Sequence, residues 1–236
     1  MKVNELDMGM NSGLASALRR HEAGEPQPTA PYSPTKTLTF LAAHALVTHV
    51  LERPFEREWT VQGFGMLRTY LDHEKTWRLN VWHSSIAVKD VSTVHDHPWD
   101  FESLVLAGVF TNVRYHEVSG RDEYLRSRKF KRVRIQTGEG GGIRGEPVDV
   151  DLVASPPEHY GPGAVYSQRA EEIHESLYAD GTVTLNRRVR RPDGEHANVF
   201  YDRDKWWNDA EPRPARSGEV SIVVRHALAK MGLVTR

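Results

Sequence analysis

The 236 residues suffice for one large domain or two small ones, and 31 Lys plus Arg against 32 Asp plus Glu leave a formal net charge of −1. That balance excludes a chain built mainly to coat nucleic acid or an anionic membrane. Cysteine is absent, which excludes disulfides and thiolate metal sites and leaves His, Asp, Glu, carbonyl oxygen or water as the only metal donors.

In chain order, residues 1–35 read as an N-terminal arm, with a short helical candidate at Gly13–His21 and a Pro-rich stretch from Glu25 to Pro34. Met1–Gly13 lacks the apolar core of a signal peptide, and no run approaches the ~18 apolar residues of a membrane helix. The expectation is a soluble, cytoplasmic protein. Thr35 can cap a helix in which Phe40, Ala43 or His44, Val47, and Val50 or Leu51 recur at helical spacing, and Arg53-Pro54 ends it.

From Trp59 the pattern turns to strands: Phe64–Leu71, Trp77–Trp82, Val91–His97 and Phe101–Val118, with Gly108 inside the last. Phe130–Gln136 follows, then a Gly-rich loop at Thr137–Pro147. Val148–Ala154, Ala164–Arg169, His174–Tyr178 and Thr182–Val189 are further strands. Asp202–Arg216 reads as irregular, and a helix from Gly218 or Glu219 to Met231 places Val220, Val223, Val224 and Ala227 on one face. Many short strands joined by Gly, Pro and Asp turns predict an all-β-dominated sandwich or jelly roll with helices at both ends packed outside it. The domain plan is an arm at 1–35, a β-barrel domain with its helix at 36–200, and a C-terminal extension at 201–236.

The chemistry concentrates in Val94-His95-Asp96-His97-Pro98-Trp99-Asp100-Phe101-Glu102. Strand alternation points His95 and His97 the same way. Pro98 and Asp100 favour a bend, after which Glu102 can return beside the two imidazoles. His174, in a second unit after the Gly161-Pro162-Gly163 turn, is the best further ligand, with His159 as a substitute. His95-x-His97-x4-Glu102-x5-Gly108 resembles the first motif of the cupin superfamily, and Gly161-Pro162-Gly163-Ala164 with His174 resembles the second. The spacing from Gly163 to His174 is longer than the family's usual one. The resemblance spans about residues 80–190 and implies a cupin-type double-stranded β-helix, a divalent metal held by His95, His97, Glu102 and His174, and a homodimer.

Around this motif, Asp96 or Asp100 can orient an imidazole, or else serve only the turn, with Trp99 as a buried indole. Arg78, Asn80 and Trp82 share one strand face; facing inward, the arginine can bind a substrate carboxylate or phosphate. The opposite reading puts Leu79 and Val81 inside. Tyr70, Tyr115, Tyr166 and Arg187 are further interior candidates. The basic runs Arg126–Arg134 and Arg187–Arg191 read as solvated strand faces before they read as a nucleic-acid surface. A thiol-free His and carboxylate set suits Fe(II), Mn(II), Ni(II), Co(II) or Zn(II). The expectation is an Fe(II) dioxygenase acting on a small polar molecule. A metal-dependent isomerase, epimerase or lyase, and a non-catalytic small-molecule-binding cupin, are the alternatives.

Overall fold

A computed structural model describes residues 34–136, 142–190, 196–204 and 212–233. The candidate helix Gly13–His21 and the Pro-rich stretch up to Ser33 lie outside the described residues. Helix α1 is Pro34–Glu52, opening on the proline whose fixed φ suits a first helical position. A 3-10 turn, Pro54–Glu56, ends it. Fourteen strands follow: β1 Thr60–Gln62, β2 Phe64–Tyr70, β3 Trp77–Ala87, β4 Val94–His95, β5 Trp99–Ala107 and β6 Phe110–Glu117 come first. After the short helix α2, Arg121–Tyr124, come β7 Arg128–Gln136, β8 Gly142–Ala154, β9 Glu158–Tyr160 and β10 Val165–Gln168. Then β11 His174–Tyr178, β12 Thr182–Arg190, β13 His196–Asp202 and β14 Arg213–Pro214 lead to helix α3, Ser217–Lys230. No helix among the described residues is long and apolar enough to cross a membrane.

The strands form two antiparallel sheets. The first has the order β10-β5-β12-β3-β2-β1-β14 and the second β11-β4-β13-β7-β8-β6-β9. In the second sheet β11 also pairs with β6, so the ladder from β11 through β4, β13, β7, β8 and β6 returns to its start. Closure of this kind removes unpaired edges.

The Gly-rich segment departs from expectation. Residues 142–147 belong to β8 rather than to a loop. Arg132 pairs with Val148 and Arg134 with Arg144, so residues between 144 and 148 bulge out. Gly145, at φ 80°, supplies the left-handed backbone that lets the ladder resume beyond the bulge. The segment read as irregular near the C-terminus likewise contributes β14, which pairs Pro214 with Thr60.

Alternation along the strands gives the first sheet two unlike faces. Val61, Leu67, Leu79, Val81, Leu106, Val183 and Leu185 point to one side and form the largest apolar core with Val47, Leu51, Val220, Val223 and Val224 of α1 and α3. Arg78, Asn80 and Trp82 of β3 point to the other side, between the sheets, as do their register partners Asn186, Thr184 and Thr182 on β12. The inward reading of the Arg78 face is therefore correct, and Leu79 and Val81 face the helices. A second core, with Val94, Val113, Tyr115, Phe130, Leu152 and Phe200, lies on the far side of β4 and β6.

Candidate metal centre

His95 closes β4, His97 lies just beyond it, and His174 opens β11 directly opposite His95 in the ladder. One ring nitrogen from each of the three lies within 4.8 Å of the others. Their ring centroids are 4.5 Å (His95–His174), 4.8 Å (His95–His97) and 5.0 Å (His97–His174) apart. The longer spacing ahead of His174 thus does not keep it from the pair.

Backbone carbonyls set the tautomers of two of these rings. His95 donates from Nδ1 to the Thr93 carbonyl at 2.8 Å, and His174 donates from Nδ1 to the Glu172 carbonyl at 3.2 Å. A carbonyl only accepts, so each Nδ1 carries the proton and each Nε2 keeps a bare lone pair. His97 is held by its neighbours: its ring lies 5.5 Å from that of Trp99 at 22°, and 5.2 Å from Phe101 edge-on. Phe64 stacks against His95 at 5.5 Å. Burial drives all three imidazoles below their ordinary pKa, and the mutual proximity of the rings drives His97 and His174 further down. Neutral imidazoles with lone pairs converging on one point are what a divalent ion such as Fe(II), Zn(II) or Ni(II) takes as ligands.

Glu102 is not part of this group, which corrects the expectation that it would be a ligand. β5 runs without a break in register opposite β10 from Phe101 to Leu104. Phe101, three residues after the bend, reaches the interior, where its ring lies 5.2 Å from His97 and 6.4 Å from His174. Glu102, one residue further, turns to the opposite face with Leu104 and Leu106, which pack toward the helices. The bend at Pro98 adds no extra residue that would restore the phase. A ring therefore occupies the place a carboxylate was expected to take.

Two other interior candidates also fall elsewhere. Tyr115 faces the second core, where its hydroxyl donates to Glu175 at 2.9 Å; an odd offset from the inward Phe110 and Asn112 puts it there. Arg187 pairs in register with Glu102 on the helix-side face of the first sheet. His159 is exposed, with Nδ1 2.8 Å from the Thr111 hydroxyl. Of the flanking aspartates, Asp96 accepts from the Asn198 backbone N–H and side-chain amide, both at 2.6 Å, and Asp100 accepts from the Ala170 N–H at 2.7 Å. These contacts pin the loop ends. In the first basic run, Arg128 and Arg132 pair with Asp202 and Glu117 on exposed strand faces.

Arg78, Asn80, Trp82, Trp99, Tyr70 and Tyr166 do face the interior. Trp82 and Tyr166 join an aromatic cluster with Phe101 and Phe110, and Asn80 donates to Thr184 and Asn186 at 3.1 and 3.0 Å. Two further arginines join them: Arg68, the register partner of Asn80, and Arg188, that of Phe101; the burial of Arg188 corrects the reading of the Arg187–Arg191 run as a solvated face at that residue. Each lies an even number of residues from an inward neighbour, Arg68 from Tyr70 and Arg188 from Asn186, so alternation alone would have found them once one strand's facing was known.

No protein-family model matches the chain, and no curated protein matches it.

Proposed function

We propose that this chain is a metal-dependent enzyme of the cupin jelly-roll kind, an Fe(II) dioxygenase acting on a small polar molecule. The observation that carries this is the convergence of His95, His97 and His174 with Nδ1 of two rings tied to carbonyls. His95, His97 and His174 would hold the ion as three neutral donors, a set that suits Fe(II). An Fe(II) ion held there would supply one-electron chemistry toward dioxygen that no amino-acid side chain can supply. The chain's own groups do the rest. The Thr93 and Glu172 carbonyls fix ring orientation, while Phe64, Trp99 and Phe101 wall the histidines and limit water around them.

One observation favours a second reading. With Glu102 turned away, the donors are imidazoles alone, a set that also serves Zn(II) as a Lewis acid with one open water position. That centre would support isomerase, lyase or hydrolytic chemistry. The test is metal analysis of protein purified without chelator, for wild type and His95→Ala, followed by oxygen uptake of the iron-loaded protein across a panel of small polar compounds. About one iron per chain, lost in the variant and coupled to substrate-dependent oxygen uptake, supports the dioxygenase. Zinc with turnover under anaerobic conditions supports the second reading. No metal in wild type after reconstitution refutes both.

A further inference from the structure

The face of the first sheet that looks onto the histidines carries three arginines. Arg68, Arg78 and Arg188 all project from it, on β2, β3 and β12. Arg78 is 5% exposed, and its buried Nε has no hydrogen-bond partner. The buried Nε of Arg68 is likewise unpartnered, although its Nη1 donates to Gln62 at 2.9 Å. Arg188 donates to the Tyr70 hydroxyl at 2.9 Å and lays its guanidinium 3.6 Å above the Trp99 ring. Trp99 also stacks on His97, so one indole lies against both the arginine and the candidate metal centre. The buried Trp99 Nε1 is one more donor without an acceptor.

Burial aside, the groups that act most strongly on Arg78 are Arg68, Tyr70, Arg188 and Tyr166, and Arg78 in turn acts on His95 and His97. Burial and the two neighbouring guanidinium groups pull Arg78 down to about 10. The same field reaches Tyr70: burial alone would raise its phenol, yet Arg68, Arg78, Arg188 and Lys75 together bring it below its ordinary value. A buried guanidinium is stable only when an acceptor meets its fork of N–H groups. A divalent ion held by the three neutral imidazoles would add two more positive charges to this region.

We propose that the interior face of the first sheet, centred on Arg78 with Arg68, Arg188 and the Trp99 N–H, is an oxyanion subsite that receives the carboxylate or phosphate of the substrate beside the three histidines. The inference rests on the metal-enzyme reading above for the word substrate, but the subsite is made of residues that are not ligands. The recognised group is a planar or tetrahedral oxyanion able to accept two N–H bonds from one guanidinium. Trp99 joins the two groups, lying against both Arg188 and His97, so an anion held by the arginines places the remainder of a small molecule against the histidines.

The test is calorimetric titration of the protein with succinate and, separately, with inorganic phosphate. It uses wild type, Arg78→Gln, Arg78→Lys, the exposed-site control Arg121→Gln and the metal-site variant His95→Ala. One probe is expected to bind wild type with one site per chain. Arg78→Gln should lose about tenfold or more in affinity, and Arg78→Lys should fall between, because an ammonium keeps the charge and lacks the fork. Arg121→Gln should match wild type. A preference for phosphate assigns a phosphate ester as substrate, and a preference for succinate assigns a carboxylate. Binding that survives in His95→Ala without metal separates the subsite from the metal reading, which can then fail alone. Metal binding with neither probe bound, or equal affinity in Arg78→Gln and wild type, overturns the subsite. Thermal melting guards against a folding artefact: removing an uncompensated buried charge should leave Tm of Arg78→Gln at or above wild type, and a fold lost in both Arg78 variants would make the arginine structural and overturn the proposal.

Discussion

The sharpest test of the centre pairs Glu102→Gln with His174→Ala. Glu102 is half-buried on the helix-side face of β5, so removing its charge belongs with substitutions away from special features, within about 0.5 kcal/mol. Metal affinity should therefore change by no more than about twofold, since 1.4 kcal/mol is a factor of ten. His174 is 2% exposed, its Nε2 lone pair is aimed by the Glu172 carbonyl, and it is one of three donors. Groups that merely orient a ligand are worth about 10–100-fold in metal affinity, so losing the donor itself should exceed about 100-fold. The assay is anaerobic titration with Co(II) as a coloured, oxygen-stable probe, competed against a chelator of known affinity, with a melting curve to show that each variant is folded. If Glu102→Gln weakened Co(II) as strongly as His174→Ala, the facing argument for β5 would be wrong and the carboxylate would have to enter the site.

Two further predictions concern the scaffold. Gly108 has φ 77°, and a Cβ there would lie 2.7 Å from the Thr182 backbone Cα; Gly108→Ala should lose about 2–5 kcal/mol from left-handed strain plus overpacking, read as a drop in the denaturant midpoint, and an unchanged midpoint would mean the β5–β6 turn relaxes freely. Glu219 accepts from Arg213 at 2.9 and 2.5 Å and from the Arg216 N–H at 2.8 Å at the start of α3, contacts that hold its carboxyl near 2, the Arg213 hydrogen bond foremost. Because the folded pKa lies below the ordinary 4.5, this contribution is fully present above pH 4.5 and fades as pH falls toward 2. Glu219→Gln should therefore cost about 0.5–1 kcal/mol at neutral pH and flatten the acid limb of the stability curve; equal curves for variant and wild type would refute the cap.

What could be read ahead of the structure followed the range of the interaction involved. Helices α1 and α3 and most strands were legible because each announces itself within a few residues, through the spacing of Ala43, Val47 and Leu51 or the alternation of Arg78, Asn80 and Trp82. The pairing of His95 and His97 was legible for the same reason. Glu102 was misplaced because its facing depends on phase across the Pro98 bend, and a one-residue error there inverts every side chain that follows. Tyr115 and Arg187 failed for the same cause, an unknown parity between strands. The strand from Gly142 was hidden because a bulge absorbs Gly145 and Pro147, residues that by local chemistry end strands. The closing of the second sheet on itself through β6 and β11 is a long-range pairing that leaves no local mark.

The two faces of the first sheet divide the labour of the fold. The helix-side face is almost wholly aliphatic, and its burial against α1 and α3 supplies the hydrophobic drive that holds the sheet. The interior face could have been equally apolar and would then have added to stability. Instead it carries Arg68, Arg78 and Arg188 together with Asn80, Asn186 and Ser103, of which the last three hydrogen-bond one another through Asn80–Asn186 and Ser103–Asn186 contacts at 3.0 Å, while the buried Asn80 Oδ1 meets no donor. Shared amide and hydroxyl contacts of this kind are compatible with a purely structural interior; Arg78 stands apart, because its buried Nε meets no acceptor among the described residues and burial without one is costly. The outer core stabilises the sheet strongly enough to tolerate that cost. An unfavourable charge kept beside three converging imidazoles is what the proposed oxyanion subsite would compensate through a bound molecule, and that proposal accounts for the polarity of this face by what enters the interior rather than by how the interior folds.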